Sequence, residues 1–143
     1  MEARILRPGD ESLLAAAAAI GDDDDDLGPS PARCSELLSD PCFVAVVALH
    51  DGQPVGFTYG HVLPQMTRTA LLIYSVDTDA EHRRRGAARA MIEALRQLSR
   101  ERGYYEMWVL TSAANEPAMR LYEGCGGVRE TFDDVMWVFP LET

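Results

Sequence analysis

Residues 69–102 constrain the fold more than any other stretch, because a strand-like run passes through a short basic turn into a long amphipathic helix. The run Thr69–Thr78 carries Leu71, Ile73, Tyr74 and Val76, the branched and aromatic residues that suit a pleated surface. Residues 85–102 then place Ala88, Met91, Ile92, Leu95 and Leu98 at three- and four-residue intervals, which puts them on one apolar helix face. Gly103 is a suitable stop for that helix.

The chain before this unit supplies more strands. Residues 43–49 are valine-rich and alternate poorly, as a strand buried on both faces does. His50-Asp51-Gly52-Gln53 predicts a tight hairpin turn, and residues 55–63 return as the partner strand. With residues 69–78 they form an antiparallel meander. Further elements are a first strand over 3–7, a helix over 11–20 and a brief helix over 32–38. Beyond the long helix the pattern predicts a strand over 104–111, a helix over 116–123 and a final strand over 135–139. No repeat and no dividing linker interrupts residues 1–143, so the expectation is one domain of mixed α/β (α+β) class with a mainly antiparallel sheet flanked by helices.

Charge narrows the partners. The net charge of −10 disfavours nucleic acid and anionic membrane, both of which need basic cover. Asp22, Asp23, Asp24, Asp25 and Asp26 form one sharp acidic run, and Gly28, Pro29 and Pro31 after it predict a loop. No apolar run is long enough to cross a bilayer, and no export signal is evident. Cys34, Cys42 and Cys125 lack metal-ligand spacing and read as reduced thiols, so a cytoplasmic location is expected and no metal is.

The turn before the long helix reads Glu81-His82-Arg83-Arg84-Arg85-Gly86-Ala87-Ala88. The first turn of a helix has unpaired N–H groups and partial positive charge, and Gly86, Ala87 and Ala88 leave its backbone accessible. Arg83, Arg84 and Arg85 add charge, so the segment can cradle a phosphate; a merely solvated helix start reads equally well. The spacing fits neither a dinucleotide fingerprint nor a nucleotide P-loop. After one helix and one strand comes Asn115-Glu116-Pro117-Ala118-Met119-Arg120-Leu121-Tyr122-Glu123-Gly124-Cys125-Gly126. In that order, Arg83, Gly86 and Ala88, then Asn115, Ala118, Leu121, Tyr122 and Gly126, resemble the two signatures of the GNAT superfamily of acetyltransferases. The resemblance spans residues 43–139.

It implies acetyl-coenzyme A as cofactor and direct acetyl transfer to an amine. It also implies a sheet splayed near Thr78, with Val76 and Thr78 along the pantetheine arm, residues 83–88 at the pyrophosphate, and Asn115, Ala118 and Tyr122 completing the cofactor site. Tyr122 matches the tyrosine that protonates the departing thiolate, and Val76 N–H is a candidate oxyanion donor. Asp77 and Glu116 are both candidate bases, and a cap or a solvated charge is the alternative for each. His82 belongs to the phosphate turn, and direct transfer needs no covalent Cys125.

Tyr59-Gly60-His61-Val62-Leu63-Pro64 and Glu81-His82-Arg83-Arg84 are similar to aminoglycoside 3-N-acetyltransferases, although Ser75 stands where that sub-family often has an acid. The resemblance implies a polycationic small-molecule acceptor, and antibiotic resistance with it. The acids Asp22 to Asp26, with Asp133 and Asp134, are then candidates to rim the acceptor cleft, or else to solubilise the protein. Transfer to a polyamine, an amino acid or a protein lysine is the first alternative, and a non-catalytic acyl-CoA-binding module the second. By analogy with many relatives a homodimer is expected.

Overall fold

The structure, a computed structural model, describes residues 1–20 and 28–141. Its elements are β1 (Glu2–Ile5), α1 (Glu11–Ala18), α2 (Pro31–Ser39), β2 (Phe43–His50), β3 (Gln53–Pro64), β4 (Thr69–Thr78), α3 (Ala87–Glu101), β5 (Glu106–Val109) and α4 (Glu116–Gly124). A 3₁₀ turn at Ala80–His82 links β4 to α3. The strands form one sheet in the order β1-β2-β3-β4-β5. The first three pairings are antiparallel, whereas β5 runs parallel to β4. The β2–β3 turn has positive φ at both Asp51 (51°) and Gly52 (81°), the backbone whose twist matches a two-residue hairpin. The parallel pairing needs a crossover, and α3 supplies it.

Each face of the sheet has its own core. On one side α3 lays Met91, Leu95 and Leu98 against Val44, Val46, Ala48, Leu71 and Ile73. On the other, Leu14 and Ala17 of α1 and Cys34 of α2 meet Ala45, Val47, Leu49 and Phe57. Residues 44–49 of β2 are buried throughout, which explains their poor alternation. Met91, Leu95 and Leu71 are fully buried, each stabilising the fold by about 1.5–3 kcal/mol.

A β-bulge redirects the middle of the sheet. Across β3 and β4, Tyr59 opposes Ser75 and Gly60 opposes Ile73, so Tyr74 is an extra residue. An inserted residue reverses the alternation of faces beyond it. Leu71 and Ile73 therefore point toward α3, whereas Ser75 and Asp77 line the cleft on the opposite face and Val76 packs toward α3. Gly60 sits against the distortion, where an added Cβ would lie 2.4 Å from the Leu72 carbonyl oxygen. Only glycine fits there.

The elements follow the sequence reading closely, with three differences. The long helix starts at Ala87, because Gly86 is left-handed (φ 86°) and lies outside helical geometry. The strand after it spans only Glu106–Val109. The expected strand over 135–139 does not form. Those residues have no partner strand, because the sheet of the described residues ends at β5, and an unpaired strand leaves its hydrogen-bonding groups unmet. The acidic run Asp22 to Asp26 lies outside the described residues.

Candidate active site

Three elements converge where β4 loses a neighbour. β5 pairs with β4 from Ala70 to Ile73 and goes no further. From Ser75 to Thr78, β4 pairs with β3, and among the described residues no strand pairs with its other edge. This is the splay anticipated beside Val76 and Thr78. An extended, amide-bearing chain can pair with such an edge as an added strand.

The end of this edge leads into the basic turn. Asp79 caps the 3₁₀ turn by accepting from Glu81 N–H at 2.8 Å. Arg83, Arg84 and Arg85 are exposed, and among the described residues none of them is ion-paired. Arg84 (φ 66°) and Gly86 (φ 86°) are both left-handed, a backbone that turns consecutive N–H groups to one side as an anion nest. Arg84 bears about 1–3 kcal/mol of strain for this conformation. The first helical bond of α3 runs from Ala90 N–H to the Gly86 carbonyl, and no side chain caps the N-terminus. The N–H groups of Ala87 and Ala88 thus have no partner within the helix. Nothing approaches within 4 Å of a Cβ built at Gly86. Open backbone, free donors and three unpaired guanidinium groups fit the diphosphate of coenzyme A.

Tyr122 of α4 is half-buried. Burial, then the Asp77 carboxylate, then Cys125, push its hydroxyl pKa above the ordinary tyrosine value. The hydroxyl is therefore a neutral proton donor through the physiological range, and Asp77 lies close enough to affect it. Asn115 caps α4 by accepting from Ala118 N–H at 3.2 Å, which gives the second signature a definite task in local structure. Glu116 is exposed on the first turn of α4, 3.6 Å from Arg120, and does not line the cleft. Of the two carboxylates read from the sequence as bases, the structure brings only Asp77 to the cleft.

That cleft, about 700 Å³, lies between the α1–α2 layer and the sheet. Phe57, Tyr59 and His61 of β3 alternate along one face and form its floor with Phe43 and Tyr74. Tyr59 stacks between Phe57 (5.6 Å) and Tyr74 (5.1 Å). This aromatic floor was not singled out from the sequence. The period-two spacing of Phe57, Tyr59 and His61 is the signal that carries it, but the contribution of Tyr74 depends on the bulge. Asp77 is the one acid among the described lining residues; Arg33, the one arginine among them, pairs with Glu36 at 2.8 Å. Ile20 and Gly28, the described residues flanking 21–27, both line the cleft. Asp133 and Asp134 are exposed on the segment after α4 and are not part of the lining, because that segment does not fold back onto the sheet.

Known proteins share this fold. An aminoglycoside acetyltransferase from an uncultured soil metagenomic sample is 32% identical, with 99% of this chain and 98% of that one covered and a TM-score of 0.85. A second soil-metagenome aminoglycoside acetyltransferase, solved with sisomicin, shares the fold at a TM-score of 0.90 and 20% identity, over 99% of this chain and 96% of that one. The L-2,4-diaminobutyric acid acetyltransferase of Streptomyces coelicolor is 37% identical over 79 residues, 54% of this chain and 46% of that protein. The chain spans less than half the length of the curated relatives it matches. No helix among the described residues is long and apolar enough to cross a membrane. The model of the acetyltransferase (GNAT) family matches residues 13–126, which take in the splayed strand, the arginine turn and the tyrosine helix, and the chain belongs to that family.

Proposed function

We propose that this acetyltransferase transfers the acetyl group of acetyl-coenzyme A to an amine of an aminoglycoside. The observation that carries the reading is the placement of Asp77, which lies on the bare half of β4, lines the acceptor cleft and bears on Tyr122. In this reading residues 75–78 of β4 and the turn 83–88 would hold acetyl-coenzyme A, which would supply the thioester. The Asp77 carboxylate takes a proton from the substrate ammonium, directly or through a water, and frees the nitrogen lone pair. Val76 N–H is the oxyanion donor as carbon–nitrogen bonding begins. Tyr122 O–H would give its proton to the departing sulfur, and the second proton shed by the acylated nitrogen would restore the Tyr122 hydroxyl. Ser75, beside Asp77, leaves that aspartate as the base on this stretch of β4.

The size of the cleft favours a large acceptor, since about 700 Å³ is the scale of a drug-sized ligand and far exceeds one amino acid. Its aromatic floor suits both sugar faces and ammonium groups. The acidic run Asp22 to Asp26 would add steering for a polycation, with its flanking residues at the cleft. The relative with 32% identity over nearly the whole chain is an aminoglycoside acetyltransferase. The diaminobutyrate enzyme supports a second reading, in which the acceptor is a small diamine or amino acid. Incubation with acetyl-coenzyme A and a panel of both acceptor classes, followed by mass detection, distinguishes the two. Acetylated gentamicin or sisomicin is expected. Acetylation of diaminobutyrate alone overturns the aminoglycoside reading, and transfer to neither class overturns both.

A further inference from the structure

Among the described residues, Thr58 and Ser99 are the buried polar side chains, and Thr58 has no exposure at all. Thr58 stands in a row across the sheet, opposite Val46 of β2 on one side and Val76 of β4 on the other. Both valines pack in the core under α3, so Thr58 faces the same way. A valine would fill this place with the same branched shape and would bring no hydroxyl to satisfy. Packing therefore does not call for the hydroxyl, and its hydrogen bond says where it is used. Thr58 Oγ1 donates to the Ser75 carbonyl oxygen at 2.6 Å.

That carbonyl belongs to the same peptide unit as the Val76 N–H. The unit is planar and trans, so its two polar groups point in opposite directions. A Ser75 carbonyl drawn toward β3 leaves Val76 N–H pointing to the edge of β4 that no described strand covers. The ladder gives the same direction independently. Asp79 N–H donates to the Val55 carbonyl at 2.8 Å, which makes Gly56 and Thr78 a pair without mutual main-chain bonds. Alternation then gives Phe57 and Asp77 the bonded place, and Thr58 and Val76 the unbonded one. Val76 N–H and Thr78 N–H therefore both face outward. Just past the next pair, Tyr59 and Ser75, the register shifts. The Ser75–Val76 peptide thus lies where the regular ladder ends, and a side chain from the core fixes its plane.

We propose that Thr58 is a positioning residue for acetyl transfer, holding the Ser75–Val76 peptide so that Val76 N–H meets the thioester oxygen. The inference rests on the reading of Val76 N–H as the oxyanion donor. A hydrogen bond to the carbonyl of a peptide also polarises that unit, which makes its N–H a stronger donor. A donor held in place beforehand needs no reorganisation as charge develops on the oxygen. Thr58 is fully buried, so it acts through this peptide and not by contact with either reactant.

Two variants test this. Thr58→Val removes the hydroxyl and keeps the branched shape, and Thr58→Ser keeps the hydroxyl. Isotope-edited infrared spectroscopy of the thioester carbonyl of bound acetyl-coenzyme A reads the N–H bond without any acceptor. Binding to wild type and to Thr58→Ser is expected to lower the stretching frequency. In Thr58→Val it should stay near the value of the free thioester. With an acceptor that wild type acetylates, Thr58→Val is expected to lower kcat by roughly tenfold, less than the loss of a whole oxyanion donor. Acetyl-coenzyme A affinity and far-ultraviolet circular dichroism should be unchanged, and Thr58→Ser should turn over near the wild-type rate. Wild-type turnover or a wild-type frequency shift in Thr58→Val overturns the proposal. So does a Thr58→Ser variant as slow as Thr58→Val, or a wild-type frequency that binding leaves unmoved. A Thr58→Val chain that fails to fold overturns it too, since the hydroxyl would then serve the fold. Failure of the aminoglycoside reading shows separately, in the acceptor panel, because the infrared shift involves the cofactor alone.

Discussion

The sheet has two bare stretches of main chain, and they differ in what surrounds them. The stretch of β4 from Ser75 to Thr78 is open because β5 stops pairing at Ile73, in the middle of the fold. It is flanked by an unpaired arginine turn, a half-buried tyrosine and an aromatic cleft. The outer side of β5 is open because the sheet ends there, and its surroundings are exposed apolar residues. Both offer the same hydrogen-bonding groups. Their neighbours decide what each can hold: charge and a titratable hydroxyl favour a small anionic cofactor, whereas exposed apolar side chains offer an anion no counter-charge.

The sharpest way to break the comparison is to remove the first opening while leaving the second. Gly60→Val is expected to abolish transfer, because its Cβ would strike the Leu72 carbonyl at 2.4 Å and force the bulge at Tyr74 out of shape. Losing the bulge would turn Asp77 away from the cleft. Thermal unfolding and calorimetry with acetyl-coenzyme A check this, with a loss of several kcal/mol in stability and no measurable binding expected. Binding at wild-type affinity would show that the bulge is dispensable.

The next test separates chemistry from binding within the same opening. Tyr122→Phe is expected to lower turnover on the order of 100-fold, the scale of a lost general acid, while acetyl-coenzyme A affinity stays within a few fold. Weaker cofactor binding with turnover intact would instead make Tyr122 a packing residue. A smaller effect is expected from converting Asp22 to Asp26 to asparagine. The KM for an aminoglycoside should rise by about tenfold at low salt and less at high salt, since exposed charges contribute little each and are screened. Steady-state kinetics at two ionic strengths reads this out.

The smallest effect concerns pH. Because burial and Asp77 raise the Tyr122 pKa in the folded state, the folded protein holds that proton more tightly than the unfolded chain does. The associated stability is fully present below the unfolded value of about 10 and is lost as pH rises through the higher folded value. The alkaline fall in melting temperature should therefore be shallower in Tyr122→Phe than in wild type. Parallel melting curves above pH 9 (approximately where tyrosine begins to ionise) test the sign.

Most of the sheet and both signature segments were legible in the chain, for reasons that particular residues illustrate. Asp51-Gly52 accepts two positive φ angles, so the hairpin is local. Met91, Ile92, Leu95 and Leu98 repeat at helical spacing, so α3 is local too, and Asn115 caps α4 from within its own first turn. The site was only partly legible. The aromatic floor depends on Tyr74 being an extra residue, a fact of register between two strands, and Glu116 and Asp77 look equally able to act as bases until one is seen in the cleft and the other on an exposed helix turn. Residues 135–139 carry every local mark of a strand, yet they form none.

The chain by itself therefore determined which segments become strand, turn or helix, and which turn can meet a phosphate, because propensity, periodicity and unpaired helix-end donors act within a few residues. Only the tertiary structure decided where the sheet opens, which carboxylate reaches the cleft and which edge is left bare. Those are matters of register and neighbourhood between distant segments, and a strand is completed by the partner beside it rather than by its own side chains.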